Sequence, residues 1–432
     1  MKIAIVTAGG AGMFCGSCLH DNDWARALLD AGEDVTLVPL YTPLKLDRDD
    51  LSADRLFFGG VNVYMRHHAS WWRRLPRAVT RWLDHPRVLD VVSRFGVEND
   101  AATLGPLTLT TLAGINGPLR PEIEPLVDFL ADDLRPDAVF FSNVLLAGVV
   151  PPLRARFDGQ ILGVLQGDDL FLDALDPAHR AEAVAAIARH GESFDAFVTH
   201  SADYASRIGP ALGLPAEKFR TLPLTVDAEG HGGTPRRRGD GPFTVGYFAR
   251  LCPEKGFGEL LDAFGVLHRR RDDVRLVAGG YLHPRDRRWF ERQVSDAFGD
   301  RPDSAVFVHA GSPDSVAEKS DLIRSFDVLS VPTVYREPKG LPVLEAWANG
   351  VPVVQPRHGA FPEMVEGSGG GLLVTPGDAA ALADAWESLI DDEDRRLTLA
   401  EAGHAGVRAT HSPAALVAAT RNLVGAPSPA SA

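Results

Sequence analysis

Two glutamates with a fixed spacing enclose a predicted helix start in the second half of the chain. In the segment VYREPKGLPVLEAWANG, seven residues separate Glu337 from Glu345, and Gly340, Leu341 and Pro342 lie between them. Proline favours the first turn of a helix, and Asn-Gly favours its end. The free N–H groups and the positive end of such a helix are suited to a diphosphate. Glu345 is then placed to bind vicinal hydroxyls such as those of a ribose, and Glu337 a sugar hydroxyl.

Two cations lie upstream on a predicted strand-to-helix loop. The segment YFARLCPEKGFGELLDAF contains Arg250 and Lys255 between an apolar strand and an apolar helix. Two positive charges can hold a pyrophosphate and neutralise it as it leaves. Because this loop and the glutamate segment follow equivalent strands of one predicted domain, their combination favours a single nucleotide site.

A glycine-rich turn and a cysteine pair adjoin each other near the amino terminus, in AGGAGMFCGSCLH. Gly10 and Gly12 let the backbone approach a phosphate or sugar closely. Cys15 and Cys18 have the C-x-x-C spacing of a redox dithiol or of half a zinc site. We favour the glycines as the chemically relevant half, since a second C-x-x-C and a spaced histidine pair are both missing. A redox or metal site that also includes Cys252 is the alternative.

The composition is that of an ordinary globular protein. The 432 residues are 45% hydrophobic and 24% charged, which predicts two or three domains with ample core. The net charge of −14 argues against nucleic acid as the main partner. No apolar run approaches the ~18 residues of a membrane span, the amino-terminal apolar run is too short for a signal peptide, and three cysteines make no disulfide framework. We therefore expect a cytoplasmic protein.

Short β-branched segments alternate with helical patterns along most of the chain. Continuous apolar strands joined by helices predict parallel sheets that are covered on both faces. The predicted strands lie at 2–8, 35–40, 61–65, 138–142, 161–165, 196–199, 221–224, 244–247, 274–278, 306–310, 328–331, 353–355 and 372–374.

A segment of glycine, proline and arginine, HGGTPRRRGDGP, interrupts this alternation and has nothing to bury, so we predict a linker there. The predicted organisation is an α/β protein with two doubly wound, Rossmann-like domains. The amino-terminal domain spans 1–228 with an insert at about 42–125, the linker 229–242, the carboxyl-terminal domain 243–415 and a tail 416–432. Two such domains facing each other would form a deep cleft at the carboxyl ends of their strands, where ligands bind.

The insert contains a basic amphipathic segment at 66–87. It carries six arginines against the single Asp84, and Trp72, Leu75, Val79 and Trp82 recur at helical spacing. A peripheral membrane contact is one interpretation. A surface helix that caps the cleft and a contact to an anionic acceptor are the others.

On these residues the sequence resembles the retaining nucleotide-sugar glycosyltransferases of family 4, which have the GT-B fold. The family's glutamate pair, phosphate-binding cations and amino-terminal glycine loop are matched by Glu337, Glu345, Arg250, Lys255, Gly9, Gly10 and Gly12. The resemblance implies that the carboxyl-terminal domain holds the nucleotide sugar and the amino-terminal domain the acceptor.

The chain departs from the family pattern at three places. Gln166 ends a strand where many members have histidine, and it can bind a sugar hydroxyl but cannot carry a proton. Asp168 and Asp169 follow, either as acceptor-side acids or as caps of the next helix. Residues 223–227 read PLTVD instead of the common Pro-Asn-Gly-Val-Asp, and Lys339 replaces an aromatic before Gly340.

The resemblance implies metal-independent, retaining transfer of a hexose-type sugar from a nucleoside diphosphate sugar to a hydroxyl acceptor, without a cofactor. The expected catalytic residues are Glu337, Arg250 and Lys255. The expected substrate-binding residues are Glu345, Gly340, Leu341, Lys339, Gly10, Gly12, Gln166, Asp168 and His309, the last of them at a strand end near the expected nucleobase. A phosphorylase or sugar-nucleotide epimerase of the same fold, and a C-x-x-C redox or metal-binding protein, are the alternatives.

Overall fold

The computed structural model divides the chain into two compact units, Met1–Leu222 with the chain from Leu416 onward, and Pro223–Ala415. The structure describes residues 1–8, 16–41, 49–53, 57–58, 62–63, 65–66, 69, 71–72, 75, 77–80, 101–299 and 302–425. The glycine loop with Gly9, Gly10 and Gly12, the thiol of Cys15 and much of the basic segment 66–87 lie outside these residues. Within them, no helix combines the length and the apolar character that crossing a bilayer requires.

The first unit is built on a parallel sheet with the strand order β2-β1-β3-β4-β5-β6. Its strands are β1 Lys2–Thr7, β2 Asp34–Pro39, β3 Ala138–Phe141, β4 Gln160–Val164, β5 Ala196–Thr199 and β6 Phe219–Thr221. Alternate side chains of β1 enter two separate cores, Ile3 and Ile5 on one face and Ala4 and Val6 on the other. A strand buried on both faces reads as a continuous apolar run, as the sequence pattern indicated.

Helices connect the strands of this sheet in the described part of the first unit. They are α1 Gly16–Asp30, α2 Arg77–Thr80, α3 Ala101–Leu112, α4 Arg120–Asp128, α5 Val150–Arg154, α6 Asp168–Asp173, α7 Pro177–Gly191 and α8 Ala202–Leu212.

The second unit repeats this architecture with the strand order β12-β11-β10-β7-β8-β9. Its strands are β7 Phe243–Phe248, β8 Val274–Gly279, β9 Phe307–Gly311, β10 Val328–Leu329, β11 Val353–Pro356 and β12 Gly371–Val374. The helices that follow Leu222 are α9 Ala228–His231, α10 Phe257–His268, α11 Arg287–Phe298, α12 Val316–Arg324, α13 Leu341–Ala348, α14 Phe361–Ser368, α15 Ala379–Asp391, α16 Glu393–Thr410 and α17 Pro413–Gly425. The predicted α/β class, with two doubly wound parallel sheets, is confirmed.

The predicted strand at 61–65 is wrong. The described residues there are helical, and Asn62 and Arg66, four positions apart, are both buried. Arg66 Nε donates to Glu122 Oε1 on α4 at 2.7 Å, inside the first unit. A helical turn places residues four apart on one face. This face is polar and contains a buried ion pair, so the pattern of apolar residues did not predict it. Each of the other twelve predicted strands corresponds to an observed strand.

The predicted linker at 229–242 differs from the structure, because these residues are packed within the second unit. Arg236 donates from Nε and from a terminal nitrogen to the carbonyl of Arg324 at the end of α12. The amide of Arg238 donates to Glu393 Oε1 at 2.9 Å, and Arg396 donates to the carbonyl of Arg236 at 2.7 Å. The segment has nothing apolar to bury, but its polar groups pair with backbone and carboxylate oxygens of the unit.

The predicted tail from 416 also differs as far as residue 425. Residues 416–425 belong to α17 and pack on the first unit, where Trp24 Nε1 donates to Thr420 Oγ1 at 3.0 Å. Leu416 is fully buried, and Arg421 forms an ion pair with Glu33 at 2.6 Å. The apolar face of α17 is short. The sequence APSPASA that follows is typical of a tail, and the prediction extended this tail too far back, to residue 416.

Candidate functional site

The start of α13 follows β10 at the carboxyl edge of the second sheet, as the glutamate segment predicts. Gly340 precedes the helix with φ +78°, a conformation that favours glycine, and an added Cβ would lie 2.4 Å from Met364 Sδ. Pro342 occupies the first turn. It has no N–H, and the N–H of Val343 donates to the Gly340 carbonyl at 3.0 Å. A ligand at this helix start would therefore be attracted mainly by the positive end of the helix dipole, because few free N–H groups are left to bind it.

Glu337 is buried just before this helix start. Its Oε2 accepts from Lys255 Nζ at 2.6 Å and from the Tyr335 hydroxyl at 2.7 Å. Its Oε1 faces the amides of Lys339 and Gly340 at 3.4 and 3.3 Å. Both oxygens of this carboxylate are thus engaged by donors, and one of these donors is a cation.

Opposing effects set the protonation state of Glu337. Burial raises its pKa, but the charge of Lys255, the hydrogen bonds from Lys255 and Tyr335 and the bond from the Gly340 amide outweigh burial and lower the pKa to about 2. The carboxylate is ionised throughout the neutral range. Because the folded pKa is depressed, this group stabilises the fold above its ordinary pKa of 4.5, and that contribution is lost as the pH falls towards 2.

Lys255 reaches Glu337 because the turn before α10 packs directly on the segment after β10. The turn Pro253–Lys255 ends at Gly256, which has φ +72°, and a Cβ on Gly256 would lie 1.7 Å from the carbonyl oxygen of Pro332. The amide of Val334 donates to the carbonyl of Glu254 at 3.0 Å. Only glycine fits this close backbone approach.

Arg250 lies on the same loop and is exposed. Its carbonyl accepts from the hydroxyl of Tyr247 on β7 at 2.8 Å, and this hydrogen bond ties the loop to the strand that precedes it. Within the described part of the chain, the Arg250 guanidinium makes no hydrogen bond or ion pair. The two predicted cations therefore differ, since Lys255 is held by a carboxylate and Arg250 faces solvent.

Glu345 is the second member of the predicted pair and is nearly buried on α13. Its Oε1 lies 2.9 Å from Nζ of Lys319 on α12, and its carbonyl accepts from the Asn349 side chain at 2.8 Å. Lys319 is not among the site residues predicted from the sequence. A signal existed, because Lys319 shares the buried face of α12 with Ile323, four residues later.

The remaining candidates of the second unit occupy separate positions. Lys339 and Leu341 are half-buried at the start of α13. His309 is exposed on β9, and its ring centroid lies 4.7 Å from that of Phe290 on α11. Although His309 is exposed overall, desolvation of its ring and, secondly, the charge of Arg287 lower its pKa below the usual 6.5, so it is mainly neutral at pH 7.

Gln166 and Asp168 lie at the carboxyl edge of the first sheet, after β4. Gln166 Nε2 donates to Asp21 Oδ1 at 3.2 Å. The Asp168 carboxylate accepts from the backbone N–H of Gln166 at 2.9 Å and from the backbone N–H of Val144 at 3.2 Å. Burial raises the pKa of Asp168 to about 6, although these backbone hydrogen bonds lower it in part. In this structure Asp168 joins two loops through backbone N–H groups.

The two described thiols are both buried and belong to different units. Cys18 lies on α1 of the first unit, and Cys252 lies in the second. No group of three or more histidine, cysteine or acidic side chains that could hold a metal ion occurs among the residues that the structure covers.

The thiol of Cys252 is expected to resist alkylation in the folded protein. Burial raises its pKa to about 11, so about one molecule in a thousand carries the thiolate at pH 8. Iodoacetamide should therefore label Cys252 slowly in native protein and rapidly in urea, as read by peptide mass spectrometry. Fast native labelling at pH 8 would indicate an activated thiol and would favour the redox alternative.

Residues 242–392 match the family model "Glycosyl transferases group 1". The matched range contains Arg250, Lys255, Lys319, Glu337 and Glu345. Every ion pair described above for the candidate nucleotide site therefore falls within it.

Two curated relatives illustrate the similarity in sequence. The GDP-mannose-dependent alpha-(1-6)-phosphatidylinositol monomannoside mannosyltransferase of Mycobacterium tuberculosis is 28% identical over 293 residues, which cover 63% of this chain and 71% of that protein. The D-inositol 3-phosphate glycosyltransferase of Corynebacterium aurimucosum is 40% identical over 161 residues, 37% of each protein.

Solved structures extend the likeness to both units. HepE of Anabaena in complex with UDP-glucose is 17% identical, covers 99% of this chain and 100% of its own, and has a TM-score of 0.66. Sucrose-phosphate synthase from Thermosynechococcus elongatus is 20% identical, covers 98% of each chain and has a TM-score of 0.69. The chain has the GT-B fold, and its residues 242–392 are similar to the glycosyl transferases group 1 domain.

Proposed function

We propose that this chain is a retaining, metal-independent glycosyltransferase that moves a hexose from a nucleoside diphosphate sugar to a hydroxyl acceptor. The observation that carries the proposal is the hydrogen-bonded cluster of the buried Glu337 with the partly buried Lys255 and Tyr335, beside the start of α13. It combines a cation for phosphate, a carboxylate for a sugar hydroxyl and the positive end of a helix, within the group 1 domain.

The roles follow from the charges of the side chains. Lys255, the exposed Arg250 and the positive end of α13 would stabilise the negative charge that develops on the departing diphosphate. Glu337 would orient the donor sugar, and Glu345 would accept hydrogen bonds from the ribose. Because these two cations supply the positive charge, the proposal requires no metal ion.

Retention follows in this proposal from attack on the same face that the diphosphate leaves. The bond between the anomeric carbon and the phosphate oxygen breaks, the acceptor oxygen bonds to that carbon, and the acceptor proton passes to the phosphate oxygen. Glu337 is not assigned as a nucleophile, because both its oxygens accept hydrogen bonds and Lys255 compensates its charge.

The substrates are proposed from the names of the relatives. One relative is named as GDP-mannose-dependent, and the names of both relatives contain an inositol compound. HepE was crystallised with UDP-glucose. We therefore propose GDP-mannose and UDP-glucose as the first donors to test, and polyols of the inositol class as the first acceptors.

A single nucleoside diphosphate is expected to raise the melting temperature in the presence of a chelator. Ligand at 100 times its Kd adds about 2.7 kcal/mol of stability. The measurement is a thermal-shift panel with GDP, UDP, ADP, dTDP and NAD in EDTA, and zinc without it. Glu345→Gln should lose most of the shift relative to its own unliganded midpoint. Glu366→Gln, which removes an exposed partner of Arg357, is the matched control and should keep the shift.

Two results would contradict the proposal. One is a midpoint that moves only with zinc or NAD. The other is a donor that turns over without an acceptor to an epimer, or only with free phosphate, which would indicate the epimerase or the phosphorylase. With transfer established, the anomeric coupling in the proton NMR spectrum of the product tests retention.

A further inference from the structure

Tyr335 lies between two of the candidate catalytic side chains and was not expected from the sequence. Its hydroxyl is 2.6 Å from Lys255 Nζ and 2.7 Å from Glu337 Oε2. The ammonium also lies 5.0 Å from the centroid of the Tyr335 ring. Lys255 and Glu337 contact each other at 2.6 Å, so the three side chains form a closed ring of hydrogen bonds.

The chemistry of the three groups fixes the direction of each bond. An ammonium only donates, an ionised carboxylate only accepts, and a phenol has one proton to donate. Lys255 must therefore donate to both partners, and the single proton of Tyr335 must point to Glu337. Two of the three N–H bonds of Lys255 are used in this ring, and Oε2 of Glu337 receives two donors.

This ring cannot persist unchanged when a diphosphate sugar binds as proposed above. A diphosphate attracts Lys255, and a sugar hydroxyl needs a free lone pair on Glu337. Both needs are met if Lys255 exchanges Glu337 for phosphate. After that exchange, the buried carboxylate would keep only the two long amide contacts at 3.3 and 3.4 Å, unless a further donor remained. A buried carboxylate without donors is strongly unfavourable.

We propose that Tyr335 is a positioning residue that stays hydrogen-bonded to Glu337 and keeps this carboxylate aligned for a hydroxyl of the donor sugar while Lys255 transfers to the diphosphate. The inference rests on the proposed function. It couples recognition of the sugar to recognition of the phosphates, because one cation links the two subsites.

The test compares the binding of each nucleotide with and without its sugar. Calorimetry with GDP and GDP-mannose, and with UDP and UDP-glucose, gives the gain in affinity that the sugar contributes. Tyr335→Phe keeps the ring and removes the hydroxyl. The gain in affinity from the sugar is the ratio of the Kd of the nucleotide to the Kd of the nucleotide sugar. We expect this ratio to be about tenfold smaller in Tyr335→Phe than in the wild type, which is the size of effect expected from one hydrogen bond to a charged group. The Kd of the nucleotide alone should change little.

Tyr204→Phe is the matched control for the donor measurements. It removes a tyrosine-to-carboxylate hydrogen bond of 2.9 Å to Asp169 in the first unit. It should lower the melting temperature and leave the sugar's contribution unchanged. In turnover, Tyr335→Phe should alter KM for the donor and kcat unequally, whereas a purely structural role would change nucleotide and nucleotide-sugar affinity in parallel.

The outcomes separate the two proposals. If the wild-type protein binds none of these nucleotides, the proposed function fails. If the wild-type protein binds them and gains affinity from the sugar, but Tyr335→Phe gains equally, the role of Tyr335 is overturned and the proposed function stands. An equal loss of both affinities in Tyr335→Phe also overturns it.

Discussion

Lys255→Met is expected to abolish sugar transfer and to lower the free energy of unfolding by about 3–5 kcal/mol, the range for removing one partner of a buried ion pair. Lys255 is 13% exposed and Glu337 5% exposed, so solvent screens the remaining charge little. The variant leaves Glu337 buried without its cation, and it also lacks the charge proposed to stabilise the diphosphate. Urea unfolding and initial transfer rates measure the two effects.

The loss of stability in Lys255→Met should depend on pH. Burial raises the pKa of Glu337, and Lys255 provides the largest opposing effect. Without Lys255, burial remains the largest effect, and we expect the folded pKa to rise above the ordinary value of 4.5. An unpaired carboxylate of raised pKa destabilises the fold increasingly as the pH rises, so the deficit relative to wild type should be larger at pH 7.5 than at pH 5. An equal deficit at both values would contradict this account of the ion pair.

The double variant Lys255→Met with Glu337→Gln separates stability from activity. It removes both charges, so most of the lost stability should return, because no uncompensated charge remains buried. Transfer should stay abolished, since neither the cation nor the carboxylate is present. Appreciable transfer by either variant would show that the reaction does not use this pair.

Gly256→Ala is expected to destabilise the second unit by about 3–5 kcal/mol, from the left-handed backbone and the clash together. The added Cβ would lie 1.7 Å from the carbonyl oxygen of Pro332, a backbone atom that cannot rotate away. Relief of this clash must separate the turn that carries Lys255 from the segment that carries Glu337. We therefore expect donor affinity to fall along with stability, as measured by calorimetry and urea unfolding.

Gly265→Ala provides the matched control on the same helix, α10. An added Cβ there meets only the end of the Arg269 side chain, at an ordinary 3.6 Å. Alanine is favoured over glycine inside a helix, so this variant should gain about 0.5–1 kcal/mol and keep donor affinity. If Gly256→Ala matched wild type within about 1 kcal/mol, an error range typical for such measurements, the close approach at Pro332 would not hold in solution.

Local pattern determined the architecture of this protein. Strands buried on both faces read as apolar runs, so the two parallel sheets were predictable. The error was the strand predicted at 61–65, where the described residues are helical. The start and end of α13 were also predictable, because Pro342, Asn349 and Gly350 act on their own backbone. Glu337 and Glu345 could be singled out because their spacing relates them to one helix.

Tertiary structure alone decided how the charges pair. Lys255 and Glu337 are 82 positions apart, and they meet because Gly256 lets two loops of neighbouring strands touch. Tyr335 and Lys319 belong to no recognisable motif. Each of them pairs with a carboxylate that folding buries, and the sequence alone does not show which carboxylates those are. Local periodicity records which side of an element is apolar. It does not record which carboxylate a distant cation will reach, because that choice depends on the packing of loops against one another.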